Sequence, residues 1–218
     1  MYSELFKTVF VHIPRTGGQS VENLFVAMHE LTWKQRGELL LGRNPKQGEN
    51  PKYLAHLFAR EYLEKGHLEE MTFSSAFKFS IVRNPYDRVL SEYRYRARKR
   101  PLAFTKFLRV LARQAHDRHI VPASDYVLDA SGNIMVDVIL RFESLTKGFA
   151  NLSTRIFGSC LKLPHLNGTR QDAGPQSLDC EARTLIYRLY ERDFDIFRYP
   201  SERIAYSCST VPKQTRIN

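Results

Sequence analysis

Residues 9–20, with the sequence VFVHIPRTGGQS, join an apolar run to a loop of small and hydrogen-bonding residues. A tight turn through the Gly-Gly pair leaves backbone N–H groups pointing outward. A helix that begins there adds unpaired donors and the positive end of its dipole. Arg15 supplies a cation, and Thr16 and Ser20 supply hydroxyl groups. The chemistry that this segment predicts is the binding of a phosphate group.

A second candidate site follows residues 77–82, whose sequence FKFSIV alternates and then turns apolar, as a strand does when it enters a sheet. Arg83 comes directly after this run. Asn84 and Pro85 suit the N-cap and the first position of a helix. Ser91 then lies two turns along, on a polar face that adjoins Arg83. Arg83 and Ser91 are therefore suited to hold one phosphate between them.

Alternating strands and helices must position these two segments. The apolar residues Val21, Leu24, Phe25 and Met28 have helical spacing directly after the first loop. Further predicted elements are helices over 59–65, 103–115, 145–156 and 178–193, a strand over 136–142, a hairpin-like turn at 128–133, and loops at 42–51 and 163–175. The pattern predicts an α/β fold with a P-loop-like parallel sheet flanked by helices. Ligands of such sheets bind at the carboxyl ends of the strands.

Length and composition predict a single domain over residues 1–218, because the chain of 218 residues is too short for two ordinary domains and a linker. No segment approaches the roughly 18 uncharged apolar residues of a membrane span. The N-terminus shows no cleavable signal peptide. The three cysteines, Cys160, Cys180 and Cys208, form no C-x-x-C pair, which argues against a disulfide framework or a zinc site. We therefore expect a cytoplasmic protein.

The charge balance predicts an anionic partner, since 33 Lys and Arg against 23 Asp and Glu give a formal net charge of +10. The densest basic run is residues 94–100, RYRARKR, which is either a solvated helical face or an electrostatic guide for an anionic ligand. Tyr95 is the one aromatic residue within it. Because single-stranded nucleic acids need several stacking aromatics, a nucleic-acid partner is not expected.

The first loop differs from the nucleoside-triphosphate loop G-x-x-x-x-G-K-[ST]. Gln19 stands where that motif has its Lys, and Ile13 stands where it has its first Gly. This Lys contacts the β and γ phosphates, so its absence disfavours a kinase or an ATPase. A non-enzymatic polyanion-binding protein remains a second alternative, on the basis of charge alone.

Taken together, HIPRTGGQS and FKFSIVRNPYDRVLSEY resemble the two donor-binding motifs of sulfotransferases that use 3'-phosphoadenosine 5'-phosphosulfate (PAPS). The likeness is to the carbohydrate branch, which includes the heparan sulfate 2-O and 6-O enzymes and soluble bacterial relatives. It extends to RFESL at 141–145, LPHLN at 163–167 and YERDF at 190–194, and so covers most of the chain.

The resemblance implies that residues 15–20 wrap the 5'-phosphosulfate and that Arg83 and Ser91 hold the 3'-phosphate. It also implies that a late segment closes over the nucleotide. The donor-binding residues expected on this basis are His12, Arg15, Thr16, Gly17, Gly18, Gln19, Ser20, Arg83, Ser91, Thr169 and Arg170. Arg15 stands where the family has Lys. Because a guanidinium stays protonated, its expected role is to stabilise charge on the leaving phosphate.

The family's catalytic base is a His, or in some branches a Glu, between the two donor motifs. His29, His56 and His67 lie in that window. His56 follows the polar loop, where bacterial relatives carry a similar His, and it is the expected base. The family reaction uses no metal, and the H-x-x-H pair of His116 and His119 lacks a third ligand nearby. The expected acceptor is a hydroxyl, with carbohydrate favoured by the likeness, and the expected product is the bisphosphate PAP. The sequence carries no signal of oligomeric state.

Overall fold

A computed structural model describes residues 1–42, 51–113, 117–164 and 178–201, without the side chains of residues 51–53. Its centre is a four-stranded sheet. The strands, in their order across the sheet, are β1 (Tyr2–Ser3), β2 (Thr8–Val11), β3 (Phe77–Val82) and β4 (Val138–Arg141). β1 pairs antiparallel with β2, and the other pairs are parallel. Since β2 and β3 are parallel neighbours, their carboxyl ends lie at the same edge of the sheet.

Both faces of the sheet are buried because successive side chains of a strand point to opposite sides. Phe10 lies beside Phe79 in the register of β2 and β3, and both belong to one hydrophobic cluster. Val9 and Val11 belong to a second cluster on the other face. The predicted α/β fold with a largely parallel sheet flanked by helices is confirmed.

The helices follow the predicted order with short additions. They are α1 (Gly18–Met28), α2 (Glu61–Glu64), α3 (Glu70–Ser75), α4 (Pro85–Lys99), α5 (Phe104–Arg113), α6 (Ser124–Val127), α7 (Leu145–Phe157) and α8 (Cys180–Ile196), with 3-10 turns at Arg36–Leu39, Pro51–His56 and Phe142–Ser144. The hairpin-like turn is present as an antiparallel bridge between Leu128 and Ile134. Residues 43–50 and 165–175 of the two predicted loops lie outside the described part of the chain.

Arg88 fastens the first loop to the rest of the fold from the buried face of α4. Its guanidinium donates to the carbonyl oxygen of Pro14 at 3.2 Å and to that of Val121 at 2.9 Å. It lies 4.0 Å from the carboxylate of Asp193 on α8, and both side chains are buried. Arg88 binds the backbone carbonyls of two separate loops. It therefore positions the edge of the sheet where these loops meet.

Candidate active site

The loop between β2 and α1 has the backbone of an anion cradle. Arg15 has a φ of 69° and Gly17 a φ of 85°, both in the left-handed region. When residues of opposite hand alternate, successive N–H groups turn toward one side and form a concave site for an anion. The hydroxyl of Thr16 donates to the carbonyl of Ile13 at 2.8 Å and is fully buried. Thr16 therefore holds the turn with its side chain, and its backbone remains part of the cradle.

His12 packs against the first residue of α1 and fixes its identity. A Cβ on Gly18 would lie 2.2 Å from Cδ2 of His12. Nδ1 of His12 lies 2.5 Å from the carboxylate of Glu22, one helical turn farther along. The Glu22 contact therefore orients the His12 ring over the start of the helix. Glycine is required at position 18 because the ring occupies the space of a side chain.

Arg83 directly follows β3 and lies beside the loop, as the second motif predicts. Asn84 caps α4, since its side chain accepts from the backbone N–H of Tyr86 at 3.0 Å. The Arg83 guanidinium lies 4.2 Å from the ring centre of Phe142 and donates to the carbonyl of Arg15 at 3.4 Å. Its Nε is buried and has no hydrogen-bond partner among the described residues. Burial lowers the pKa of Arg83, and the group keeps its charge near neutral pH.

The side chain of Arg15 joins the two motifs. Its Nε and Nη2 donate to the hydroxyl of Ser91 at 3.2 Å and 3.1 Å. Its guanidinium lies 4.8 Å from the ring centre of Tyr95 and 3.8 Å from the buried carboxylate of Glu92. Burial lowers the pKa of Arg15, and the charge of Glu92 opposes that shift. The guanidinium of Arg15, the hydroxyl of Ser91 and the backbone N–H groups of the loop thus lie close together.

His56 reaches the same volume from the 3-10 turn after the polar loop. Its Nδ1 lies 3.1 Å from the carbonyl oxygen of His12, which identifies Nδ1–H as the donor and leaves Nε2 with its lone pair. Burial is the main cause that lowers the pKa of His56 well below its ordinary 6.5, and the neighbouring His12 adds to this. His56 is therefore neutral near pH 7, which is the state a general base needs.

These groups line one cavity of about 500 Å³. Of the residues predicted from the sequence, it is lined by His12, Arg15, Gly17, Gly18, Gln19, Ser20, His56, Arg83 and Ser91. Thr169 and Arg170 lie outside the described part of the chain. Of the three histidines between the motifs, all of them described, His56 is the one at the cavity, and His29 instead pairs with Ser3 at 2.7 Å.

Sequence reasoning missed several lining residues, namely Pro14, Glu22, Trp33, Tyr95, His119, Phe142, Leu145, Leu163 and Pro164. A signal existed for Tyr95, because it lies one turn after Ser91 on the same face of α4. In the sequence, His119 stands out only as half of an H-x-x-H pair, whose other member, His116, lies outside the described residues. In the part of the chain that the structure describes, no three His, Cys, Asp or Glu residues are grouped as metal ligands. No described helix is long and apolar enough to cross a membrane.

The basic run on α4 is partly structural. Arg96 pairs with Glu92 at 2.7 Å and with Asp117 at 2.6 Å, and Lys99 donates to the hydroxyl of Tyr95 at 2.6 Å. The Arg96–Asp117 pair holds the helix to the segment that carries His119, whereas the other two contacts lie within α4. The role of the run as an electrostatic guide stays a prediction.

A model of the sulfotransferase family matches residues 1–200 of the sequence. The chain belongs to the sulfotransferase family. The match confirms the resemblance drawn from the two motifs and makes the protein a transferase of sulfuryl groups, which favours this chemistry over a kinase or an ATPase. No curated protein and no solved structure matches this sulfotransferase.

Proposed function

We propose that this sulfotransferase moves a sulfuryl group from PAPS to a hydroxyl of a carbohydrate and releases PAP, with His56 as the base. The observation that carries the proposal is the meeting of His56, Arg15, Arg83 and Ser91 around one cavity at the carboxyl ends of β2 and β3. A neutral imidazole can act as the base, and two guanidinium groups and a glycine cradle can bind the anionic groups of the donor.

The residues present fit a donor with anionic groups at two positions. The buried Nε of Arg83, unpartnered within the described residues, would gain an acceptor from a 3'-phosphate held with Ser91. The cradle from Arg15 to Ser20 would bind the 5'-phosphosulfate through its backbone N–H groups. Gln19 replaces a hydroxyl residue of the family motif, and its amide can donate in that place. The family resemblance also assigns Thr169 and Arg170, which lie outside the described residues, to the donor site.

Arg15 serves the chemical step through its charge. The donor supplies a sulfuryl group on a phosphate leaving group, so negative charge grows on the phosphate oxygen as the bond to sulfur breaks. A guanidinium carries five N–H donors, and the two that bind Ser91 leave others for that oxygen. Arg15 therefore stabilises the leaving phosphate and need not give up a proton.

His56 serves the acceptor. Its Nδ1–H is engaged by the backbone of His12, so Nε2 takes the proton of the acceptor hydroxyl as the new bond to sulfur forms. The lowered pKa keeps Nε2 free of a proton at neutral pH. Support for a carbohydrate acceptor comes from the likeness to the carbohydrate branch. Trp33, 38% exposed at the cavity, offers a flat apolar surface of the kind that sugar rings cover.

Replacement of His56 tests the assignment of the base. His56→Ala should lower the rate of sulfate transfer from PAPS by about 10²–10⁴, the usual contribution of a general base, and should leave the Kd for PAP unchanged. His29→Ala is the matched control, because His29 pairs with Ser3 away from the cavity. Unchanged turnover of His56→Ala with intact PAP binding would show that another group is the base.

A further inference from the structure

The ring of His119 lies against that of His56 in the lining of the cavity. The two rings have their centres 5.4 Å apart and cross at 77°, as an edge-to-face pair. His119 belongs to the segment between α5 and α6, and the carboxylate of Asp117 accepts from its backbone N–H at 2.9 Å. Its carbonyl accepts from Arg88 at 3.4 Å. The backbone of His119 is thus fixed from two sides, which sets the distance between the imidazoles.

The side chain of His119 is held by a buried carboxylate. Its Nδ1 lies 3.2 Å from Oε2 of Glu92, and Glu92 is 2% exposed. An ionised carboxylate only accepts, so Nδ1–H is the donor and Nε2 is the nitrogen left for proton exchange. The ring of Tyr95 stacks on that of His119 at 5.9 Å. A carboxylate that orients an imidazole and balances its charge is a recurrent arrangement in proton transfer.

Both histidines are partly exposed at the cavity. His56 is half-buried, and the side chain of His119 is 33% exposed. A base that has taken a proton must lose it before the next turnover. His119 offers an exit, because it contacts His56 on one side and solvent on the other.

We propose that His119, oriented by Glu92, receives the acceptor proton from His56 and releases it to solvent. The proposal rests on the proposed role of His56 as the base. The proton leaves the acceptor hydroxyl for Nε2 of His56 and then moves to Nε2 of His119, which returns His56 to its neutral form. It passes from His119 to water, and no electrons are exchanged. The charges around this path are the guanidinium groups of Arg15 and Arg96 and the carboxylate of Glu92.

Two variants of His119 separate proton transfer from a structural role. A glutamine can still donate to Glu92 but cannot carry a proton between two partners, whereas alanine leaves space for a small base. We expect His119→Gln and His119→Ala each to lower kcat by about tenfold or more, with the Kd for PAP and the KM for the acceptor unchanged. Added imidazole should restore a large part of the rate of His119→Ala and none of the rate of His119→Gln.

The double variant His56→Ala/His119→Ala supplies the decisive comparison. If both residues act on the same proton, the double variant is no slower than His56→Ala alone. Wild-type turnover of His119→Gln, a loss in His119→Ala that imidazole does not restore, or additive losses in the double variant would each overturn the relay. If His56→Ala itself turned over normally, the base assignment would fail together with the relay. If His56→Ala turned over slowly and His119→Gln turned over like the wild type, the relay would be refuted and the assignment of His56 as the base would stand.

Discussion

Arg15 is the residue at which the two motifs meet, and its backbone shows the strain of that position. A left-handed φ of 69° is uncommon for a residue with a side chain, and such conformations are concentrated at functional sites. The conformation brings the carbonyl of Arg15 to Arg83 and its guanidinium to Ser91. A pattern of residue types indicated a cation beside a phosphate, whereas the bond to Ser91 depends on tertiary contact and could not be read from the sequence.

Arg83 should be sensitive even to a conservative change. Arg83→Lys keeps one positive charge but loses the planar fork and the stacking on Phe142. We expect the variant to bind PAP at least tenfold more weakly, as measured by calorimetry. Arg109→Lys, on the exposed side of α5, is the control and should bind PAP like the wild type. Equal affinity in both variants would remove Arg83 from the 3'-phosphate site.

The pKa of His56 also predicts how stability depends on pH. Because the folded-state pKa is well below 6.5, the unfolded chain takes up a proton as the pH falls through 6.5 while the folded protein does not. As the pH decreases from 6.5 to the folded-state pKa, the free energy of unfolding therefore decreases as well. This group contributes up to about 1.4 kcal/mol per pH unit. Above the ordinary pKa the contribution of His56 is constant.

Urea unfolding of the wild type and of His56→Ala at pH 7 and pH 5 measures this contribution. The wild type should lose more stability than the variant over that interval, since the variant lacks the titrating group. Parallel losses in the two proteins would contradict the burial of a neutral imidazole at this position.

Of the two aromatic rings near His56 that line the cavity from α4 and from the segment between α5 and α6, one could be predicted from the sequence and the other could not. The position of Tyr95 at the site could have been predicted, because helical spacing places it on the same face of α4 as Ser91. The position of His119 could not have been predicted, because its segment has no periodicity and its partner Glu92 resembles an ordinary charged residue of a helix. Only the fold brings His119 to within 5.4 Å of His56, measured between ring centres.

At the scale of elements, the junction of β2 with α1 controls donor binding. Gly18→Ala would favour the helix by up to about 1 kcal/mol through propensity. That gain should be outweighed, because the new Cβ would lie 2.2 Å from the ring of His12. Displacement of His12 would open the cradle and disturb the carbonyl that orients His56.

We therefore expect Gly18→Ala to weaken PAP binding by more than tenfold and to lower the free energy of unfolding by roughly 1–3 kcal/mol, as for other overpacked sites. Gly148→Ala is a control within α7, where the nearest atom to the new Cβ is Cδ2 of Leu140 at 3.2 Å. Titration with PAP and urea unfolding of both variants provide the comparison. Binding of PAP by Gly18→Ala at wild-type affinity would contradict the cradle.

Elements with a clear period were predictable, and elements without one were not. β2, β3, α1 and α4 carry strand or helix periodicity beside Gly, Asn and Pro signals, and they begin close to the predicted residues. β1, α3 and α6 are too short to show a period, and each depends on tertiary contact. α8 begins two residues later than predicted and continues to Ile196 through a non-helical Tyr190. The hydroxyl of Tyr190 donates to the backbone of Ile120, which shows how packing can outweigh local preference.

At the scale of the whole molecule, the order of the strands explains why one cavity serves both motifs. Residues that are 76 positions apart, Arg15 and Ser91, come into contact because β2 and β3 are adjacent and parallel. The sequence predicts a parallel sheet but not which strands are neighbours. The net charge of +10 agrees with an anionic donor at this edge.

Thermal unfolding in the presence of PAP tests the central claim most directly. At a hundredfold excess over its Kd and without magnesium, PAP should stabilise the fold by roughly 2.7 kcal/mol, and ATP should stabilise it much less. Heparin is the comparison for non-specific binding of polyanions, whose effect should fall steeply with salt. A clear upward shift of Tm with PAP alone is the result that the proposed donor site predicts. No shift with PAP, or an equal shift with magnesium-ATP, would contradict it.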